Sequence, residues 1–194
     1  MTRRIAIVLG HPDPSPDRLC RAFAVAYAEG AREAGHMVDI IDLAALDFPL
    51  LKSQQDFLHG ALPDALKPAQ EAVTAAEHVV FIYPLWLGTM PALLKGFLEQ
   101  LLRPGVAFAY KEKGFPETLL KGKSARVIVT MGMPALIYRL WFFSHSLRSL
   151  RRHVLKFVGF SPVRETLFGA VEEASEEKRK SWIEEVRVLG KSAL

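Results

Sequence analysis

His78-Val79-Val80-Phe81-Ile82-Tyr83-Pro84-Leu85-Trp86-Leu87-Gly88-Thr89-Met90-Pro91-Ala92-Leu93-Leu94-Lys95-Gly96 decides the architecture of this chain. The apolar run from His78 to Tyr83 has the length and continuity of a strand buried on both faces. A short turn carrying Pro84, Trp86 and Gly88 leads from it into a helical stripe. Met90, Leu93, Leu94, Phe97, Leu98, Leu101 and Leu102 recur there at helical spacing. A buried strand feeding a helix through a tight turn is the unit of a parallel α/β sheet, whose ligands bind beyond the carboxyl ends of the strands. Pro84 removes a backbone donor, Gly88 permits close backbone approach, and Trp86 offers a flat face. The turn is therefore either a corner plugged by a core Trp or a wall for a flat ligand.

The same alternation extends to both sides. Arg4 to Leu9 reads as a first strand, followed by a helical stripe from Asp17 to Ala34 that ends at Gly35. Val38 to Leu43 reads as a second strand, Phe48 to Ala65 as an irregular excursion, and Pro63 to Ala76 as a helix. Beyond the decisive stretch, Pro104-Gly105 stops the helix and Val106 to Lys123 reads as a loop. Ala125 to Met131 is a fourth strand, His145 to Phe157 a helix, Val163 to Phe168 a fifth strand and Ala174 to Leu189 a closing helix. Five strands separated by helices imply one parallel sheet covered on both faces. With right-handed crossovers, the expected fold is α/β: a flavodoxin-like three-layer sandwich with a five-stranded parallel sheet in the order 2-1-3-4-5. A chain of 194 residues is expected to form one such domain.

Composition excludes several classes. Half of the residues are hydrophobic (50%) and 24% are charged, an ordinary globular balance. The lone Cys20 rules out an intramolecular disulfide and a multi-cysteine metal site, and reads as a small helix-face hydrophobe. Ile5 to Leu9 is too short for a secretion signal, and Met133 to Phe143, interrupted by Arg139, is too short for a membrane span. A cytoplasmic location is expected. The basic excess, net +4, sits mainly in Arg139, Arg148, Arg151, Arg152, Lys156 and Arg164. It reads first as a solvated helix face and second as a cleft attracting a phosphorylated small molecule. No nucleic-acid-reading motif accompanies it, so no nucleic-acid partner is expected.

In the order 2-1-3-4-5, the loops after the first, third and fourth strands lie side by side. The first is Gly10-His11-Pro12-Asp13-Pro14-Ser15-Pro16-Asp17-Arg18-Leu19. Ser15 suits an N-cap, Pro16 the first helical position and Asp17 the first turn. That start is either a well-capped surface helix or an anion site with Arg18 adjacent. No dinucleotide fingerprint or Walker A motif is present. The second loop is the turn above, with Thr89 as the expected N-cap. The third is Thr130-Met131-Gly132-Met133-Pro134, followed by Tyr138 and His145. Gly132 admits a ligand beside the backbone, Tyr138 can donate a hydrogen bond and His145 can carry a proton. Taken singly, the Tyr suits packing and the His suits the surface. His36, His59, His78 and His153 have no evident partners.

These residues resemble the NAD(P)H:quinone oxidoreductases of the flavodoxin-like fold, over nearly the whole chain. Pro84-Leu85-Trp86 through Met90-Pro91-Ala92-Leu93-Leu94-Lys95-Gly96-Phe97 is similar to the family's Pro-Leu, aromatic turn, then Met/Val-Pro-Ala-hydrophobic-Leu-Lys-Gly-aromatic. Gly105-Val106-Ala107-Phe108-Ala109-Tyr110 is similar to its Gly-x-x-Phe-Ala-Tyr. His11-Pro12 with Ser15, Arg18 and Leu19 resembles the flavin-phosphate loop, although Pro16-Asp17-Arg18 departs from the usual Ser-Phe-Asn. Leu87 and Gly88 stand where the family carries further aromatics. Met133 replaces a second Gly, and His145 lies one residue late.

The resemblance implies hydride transfer from NADPH or NADH through bound FMN, with FAD as the alternative, to a quinone-like acceptor. It implies that His11, Ser15, Asp17, Arg18 and Leu19 hold the phosphate, and that Pro84, Leu85, Trp86, Leu87 and Gly88 hold the N5/O4 edge of the flavin. Thr130 and Gly132 would take the N1/O2 edge, with Tyr138 and His145 as the catalytic pair. It further implies a homodimer in which Phe108, Tyr110, Trp141, Phe142 and Phe143 meet the partner chain. A membrane-transporter partner, docked on Arg148 to Lys156, is a second role found among relatives. An electron-carrier flavodoxin is the other rival, disfavoured by the Pro-rich first loop and the net positive charge.

Overall fold

The computed structural model describes residues 2–193. In chain order its elements are β1 (Arg4–Leu9), α1 (Leu19–Glu33), β2 (Met37–Asp42), α2 (Gln54–His59), α3 (Lys67–Ala75), β3 (His78–Pro84) and α4 (Ala92–Leu101). There follow β4 (Phe108–Ala109), β5 (Glu117–Thr118), β6 (Ser124–Thr130), α5 (Ala135–Leu140), α6 (His145–Ser149), α7 (Lys156–Val158), β7 (Val163–Phe168) and α8 (Glu176–Ser192). A widened helical segment, Leu150–Leu155, joins α6 to α7. Five strands make one parallel sheet in the order β2-β1-β3-β6-β7, the expected 2-1-3-4-5 when only its members are counted. The chain outside that sheet adds a small antiparallel pair, β4 with β5, inside the segment expected to be a plain loop.

Alternate residues of the strands serve opposite faces, which gives two cores. Val79, Phe81, Tyr83, Val127 and Val129 pack with α3, α4 and the α5–α7 segment. Ile5, Ile7, Val80, Ile82 and Ile128 pack with α1 and α8. α1 and α8 approach closely because Gly30 and Gly190 face each other's backbones. A Cβ on Gly30 would lie 2.0 Å from the carbonyl oxygen of Arg187, and one on Gly190 would lie 2.2 Å from that of Tyr27. Register then fixes the rim: Leu9 pairs with Ile82, Pro84 with Thr130, and Thr130 with Phe168. The carboxyl ends of β1, β3, β6 and β7 are therefore level.

Several local expectations are corrected. Ser15 does not cap α1, which begins at Leu19 with Arg18 as N-cap and no described side chain capping it. The Ser15 N–H donates instead to Asp13 Oδ1 at 2.8 Å, and the Arg18 N–H donates to the Ser15 carbonyl at 3.4 Å. An Asp side chain that captures the N–H two residues on closes a turn and delays the helix. Asp17 thus precedes α1 rather than standing in its first turn. Thr89 does not cap α4 either; Pro91 holds that position. The irregular excursion contains α2, opened by Ser53, whose Oγ accepts from the Asp56 N–H at 3.0 Å. The apolar stretch after Met133 contains α5, and the closing helix starts later and runs further than expected.

His78, for which no partner was evident, is fully buried. Its Nε2 lies 3.0 Å from the Tyr27 hydroxyl and its Nδ1 lies 2.7 Å from Ser124 Oγ. Burial, aided by Arg126, lowers its pKa to about 3, so the ring is neutral. His36 Nδ1 accepts from the Arg3 N–H at 3.1 Å.

Candidate functional site

At the level rim of the sheet lies a cavity of about 430 Å³. The β1–α1 segment supplies His11, Asp13, Asp17, Arg18, Leu19 and Cys20 to its wall, β3 and the turn after it Pro84, Leu85 and Trp86, and β6 with its following loop Thr130, Met131 and Gly132. Val171, Glu172 and Arg179 close it from beyond β7.

The first wall carries the groups for an anion. α1 has no side-chain cap among the described residues and no acidic residue in its first turn, so the N–H groups of Leu19 and Cys20 begin a helix without an internal acceptor. Arg18 stands beside them, its guanidinium held by Asp13 at 2.5 Å. The Ser15 N–H, and then Arg18, hold the Asp13 carboxyl below its ordinary pKa, so it remains ionised near neutral pH. His11 Nδ1 accepts from the Asp13 N–H at 3.1 Å, which leaves the proton on Nε2 as a donor. Desolvation by burial lowers the His11 pKa, against a smaller raising effect of Asp13, so the ring is neutral at pH 7. Cys20 forms part of the floor. Its Sγ lies 3.3 Å from Thr130 Oγ1, and burial pushes the thiol up to about 12, so it is no nucleophile.

The second wall is a two-residue hairpin turn. The Trp86 N–H donates to the Thr89 carbonyl at 2.8 Å and the Thr89 N–H returns the bond at 3.0 Å. Leu87 and Gly88 at its tip both have positive φ, 46° and 77°, as a primed turn requires. The Trp86 N–H expected to hold a ligand is therefore committed within the turn. Trp86 meets His11 edge-on, with ring centroids 5.8 Å apart. Leu87 projects wholly into solvent, and neither Leu87 nor Gly88 lines the cavity.

The third wall is open at Gly132. A Cβ there would meet only the Glu172 side chain, at 3.7 Å or beyond, so the backbone faces free space. The Leu85 N–H donates to the Thr130 carbonyl at 2.7 Å and pins the second wall to the third.

Nine of the fourteen residues expected at the site line this one cavity: His11, Asp17, Arg18, Leu19, Pro84, Leu85, Trp86, Thr130 and Gly132. Ser15, Leu87, Gly88, Tyr138 and His145 do not. Tyr138 is buried, with its hydroxyl 2.8 Å from Ser146 Oγ and accepting from the Leu147 N–H at 3.3 Å. His145 is exposed against Phe143. Sequence reasoning passed over Val171, Glu172 and Arg179. Arg179 donates to the carbonyls of Val171 and Glu172, at 3.1 and 3.3 Å, and so fastens that segment over the cavity. The available signal was the strand order, since β7 is the neighbour of β6. Among the described residues, no cluster of His, Cys, Asp and Glu could hold a metal ion.

A doubly wound sheet with an uncapped helix start and an open glycine at its carboxyl rim defines a nucleotide- or flavin-binding class of α/β protein. A family model described as the flavodoxin-like fold matches residues 3–189. The chain belongs to that family. It is 31% identical over 183 residues to a protein of Haemophilus influenzae named an uncharacterized NAD(P)H oxidoreductase, covering 92% of this chain and 89% of that one. It is 29% identical over 191 residues to an FMN-dependent NADH:quinone oxidoreductase of Nitratidesulfovibrio vulgaris, covering 86% of each. Among solved structures, an NAD(P)H:quinone oxidoreductase from Methanothermobacter marburgensis superposes with a TM-score of 0.85 at 25% identity, over the full length of both chains.

Proposed function

We propose that this protein is a flavin-dependent NAD(P)H oxidoreductase that delivers two electrons as hydride to a quinone-type acceptor, with FMN as its flavin. The carrying observation is the α1 N-terminus, which opens uncapped into a cavity walled by the segments after four adjacent strands, β1, β3, β6 and β7. The chemistry of the donors suits a phosphate: two helix N–H groups, the Arg18 guanidinium and the neutral His11 Nε2–H. The free space at Gly132 suits the edge of a planar ring. The similarity to an FMN-dependent NADH:quinone oxidoreductase supports FMN in particular.

In this reading Leu19, Cys20, Arg18 and His11 hold the phosphate, and Asp13 fixes both Arg18 and the His11 tautomer. Thr130 ties the floor to Cys20 and the second wall to the third. Trp86 and Pro84 exclude water from one side, and Arg179 keeps the Val171–Glu172 segment closed over the other. The flavin, when bound, supplies the acceptor and donor of hydride. Tyr138 is a packing residue in this reading, because its buried side chain lies outside the lining of the cavity and its hydroxyl meets Ser146 and Leu147.

We further propose a homodimer, with Phe108, Tyr110, Trp141, Phe142 and Phe143 at the contact; all of these but Phe108 are exposed. No helix among the described residues is long and apolar enough to cross a membrane, and the proposed location is the cytoplasm.

The test is to release the bound cofactor from purified protein, identify it by mass, and follow anaerobic bleaching by NADH and by NADPH and reoxidation by a quinone. A yellow protein yielding FMN and bleached by a nicotinamide is expected. A protein that stays colourless after incubation with FMN and with FAD would end the proposal.

A further inference from the structure

Apart from its chain neighbours, Gly132 has only Glu172 beside its open face. A Cβ placed on Gly132 would lie 3.7 Å from Glu172 Oε1 and 3.9 Å from its Cδ, with nothing else within 4 Å. Both residues line the cavity. Among the described residues, the Gly132 N–H has no acceptor, and the Glu172 carboxylate has neither a hydrogen-bond donor nor an ion-pair partner. A donor and a carboxylate without partners therefore meet the same space.

The main chain that carries Glu172 is held from two sides. The Ala170 N–H donates to the Met133 carbonyl at 3.0 Å and the Val171 N–H to the Met131 carbonyl at 3.2 Å, which ties the segment to the loop containing Gly132. From α8, Arg179 Nη2 donates to the Val171 and Glu172 carbonyls. The cations of the wall are thus engaged elsewhere, Arg18 by Asp13 and Arg179 by main-chain oxygens. A carboxylate without a contacting cation, fixed at the edge of a ligand cavity, acts on any charge the ligand gains there. The Gly132 N–H acts in the opposite sense, as a donor to a developing anion.

We infer that the Glu172 carboxylate tunes the reduction potential of the bound flavin and thereby the range of acceptors the protein reduces. The inference rests on the flavin reading above, with the ring edge at Gly132. Hydride carries two electrons and one proton, so reduction adds one negative charge to the ring, spread over its pyrimidine edge. Glu172 repels that charge and so favours the oxidised form. The potential falls, and the reduced flavin becomes the stronger donor. Its acceptors then extend to quinones of low potential, of the naphthoquinone rather than the benzoquinone type.

The experiment is an equilibrium redox titration of FMN bound to the full-length wild type, Glu172→Gln and Glu173→Gln, with FMN affinity followed by fluorescence quenching. Glu173 is exposed like Glu172 but does not line the cavity. Arg179 grips only main-chain oxygens, so both variants should keep the wild-type melting temperature. Glu172→Gln should shift the preference towards reduced FMN by roughly tenfold, a rise of about 30 mV for a two-electron couple. That rise should shrink as salt increases. Glu173→Gln should produce less than roughly a third of it, being further from the ring. FMN bound to Glu172→Gln at an unchanged or lower potential overturns this inference and leaves the flavin reading standing. Equal rises in the two variants also overturn it, because they would reflect diffuse surface charge. A wild type that binds no FMN ends the flavin reading and this inference with it.

Discussion

Tyr138 shows how a side chain at family spacing can be diverted by its neighbours. Its ring is buried in the core beneath β6, and two partners eight and nine residues later, Ser146 Oγ and the Leu147 N–H, occupy its hydroxyl. The hydroxyl lies outside the lining of the cavity. Tyr138→Phe removes the hydroxyl while keeping the ring, and leaves the Leu147 N–H without that acceptor. It should lower stability by about 1 kcal/mol and leave the rate of anaerobic flavin reduction within roughly twofold of wild type. A tenfold or larger loss of that rate with unchanged stability would return Tyr138 to the catalytic role its spacing suggested. Leu87 makes a related point. Its left-handed backbone and solvent-facing side chain serve the shape of the hairpin turn, not a wall of the cavity.

At the level of elements, α1, β3 and β6 meet at the buried ring of His78, far from the carboxyl rim of the sheet. Its folded pKa, about 3, lies below the ordinary 6.5. The folded state therefore binds fewer protons than the unfolded chain between those values. The stability from this group is complete above pH 6.5 and declines as pH falls towards 3, with a limiting slope of about 1.4 kcal/mol per pH unit. Urea unfolding of wild type and His78→Gln at a series of pH values should show a shallower acid decline for the variant, beginning from lower stability at pH 7.5. Parallel declines would mean that His78 carries no such linkage.

This network was invisible in the sequence, because Tyr27, His78 and Ser124 come together only through the sheet order. The strands themselves were legible: uninterrupted apolar runs such as Ile5 to Leu9 and Val79 to Tyr83 have few alternatives. α2 was not, being six largely polar residues with no buried side chain. α5 was hidden because its apolar residues point outward as well as inward. The start of α1 was misread because both Ser15 and Asp13 could close a local turn, and Asp13 captured the N–H. Three cavity walls could be inferred from loop order. The Val171–Glu172–Arg179 wall depends on a tertiary clasp between α8 and the segment after β7.

For the whole molecule, the cavity draws its walls from four adjacent strand ends, so a ligand there links segments from both ends of the chain. Anything that binds this arrangement and not the unfolded chain must stabilise the entire fold. FMN at a hundred times its dissociation constant should add about 2.7 kcal/mol, a rise in melting temperature of roughly 5–10 °C for a chain of this size. Riboflavin carries the same ring without the phosphate and separates the contributions of the walls. If the α1 N-terminus, Arg18 and His11 seat the phosphate, riboflavin at equal concentration should produce less than about half of the FMN shift, since charge-assisted phosphate contacts dominate. Arg18→Ala should reduce the FMN shift and leave the riboflavin shift unchanged. Equal shifts for the two ligands in wild type would show that the ring alone is held, and that the uncapped start of α1 is not the phosphate seat.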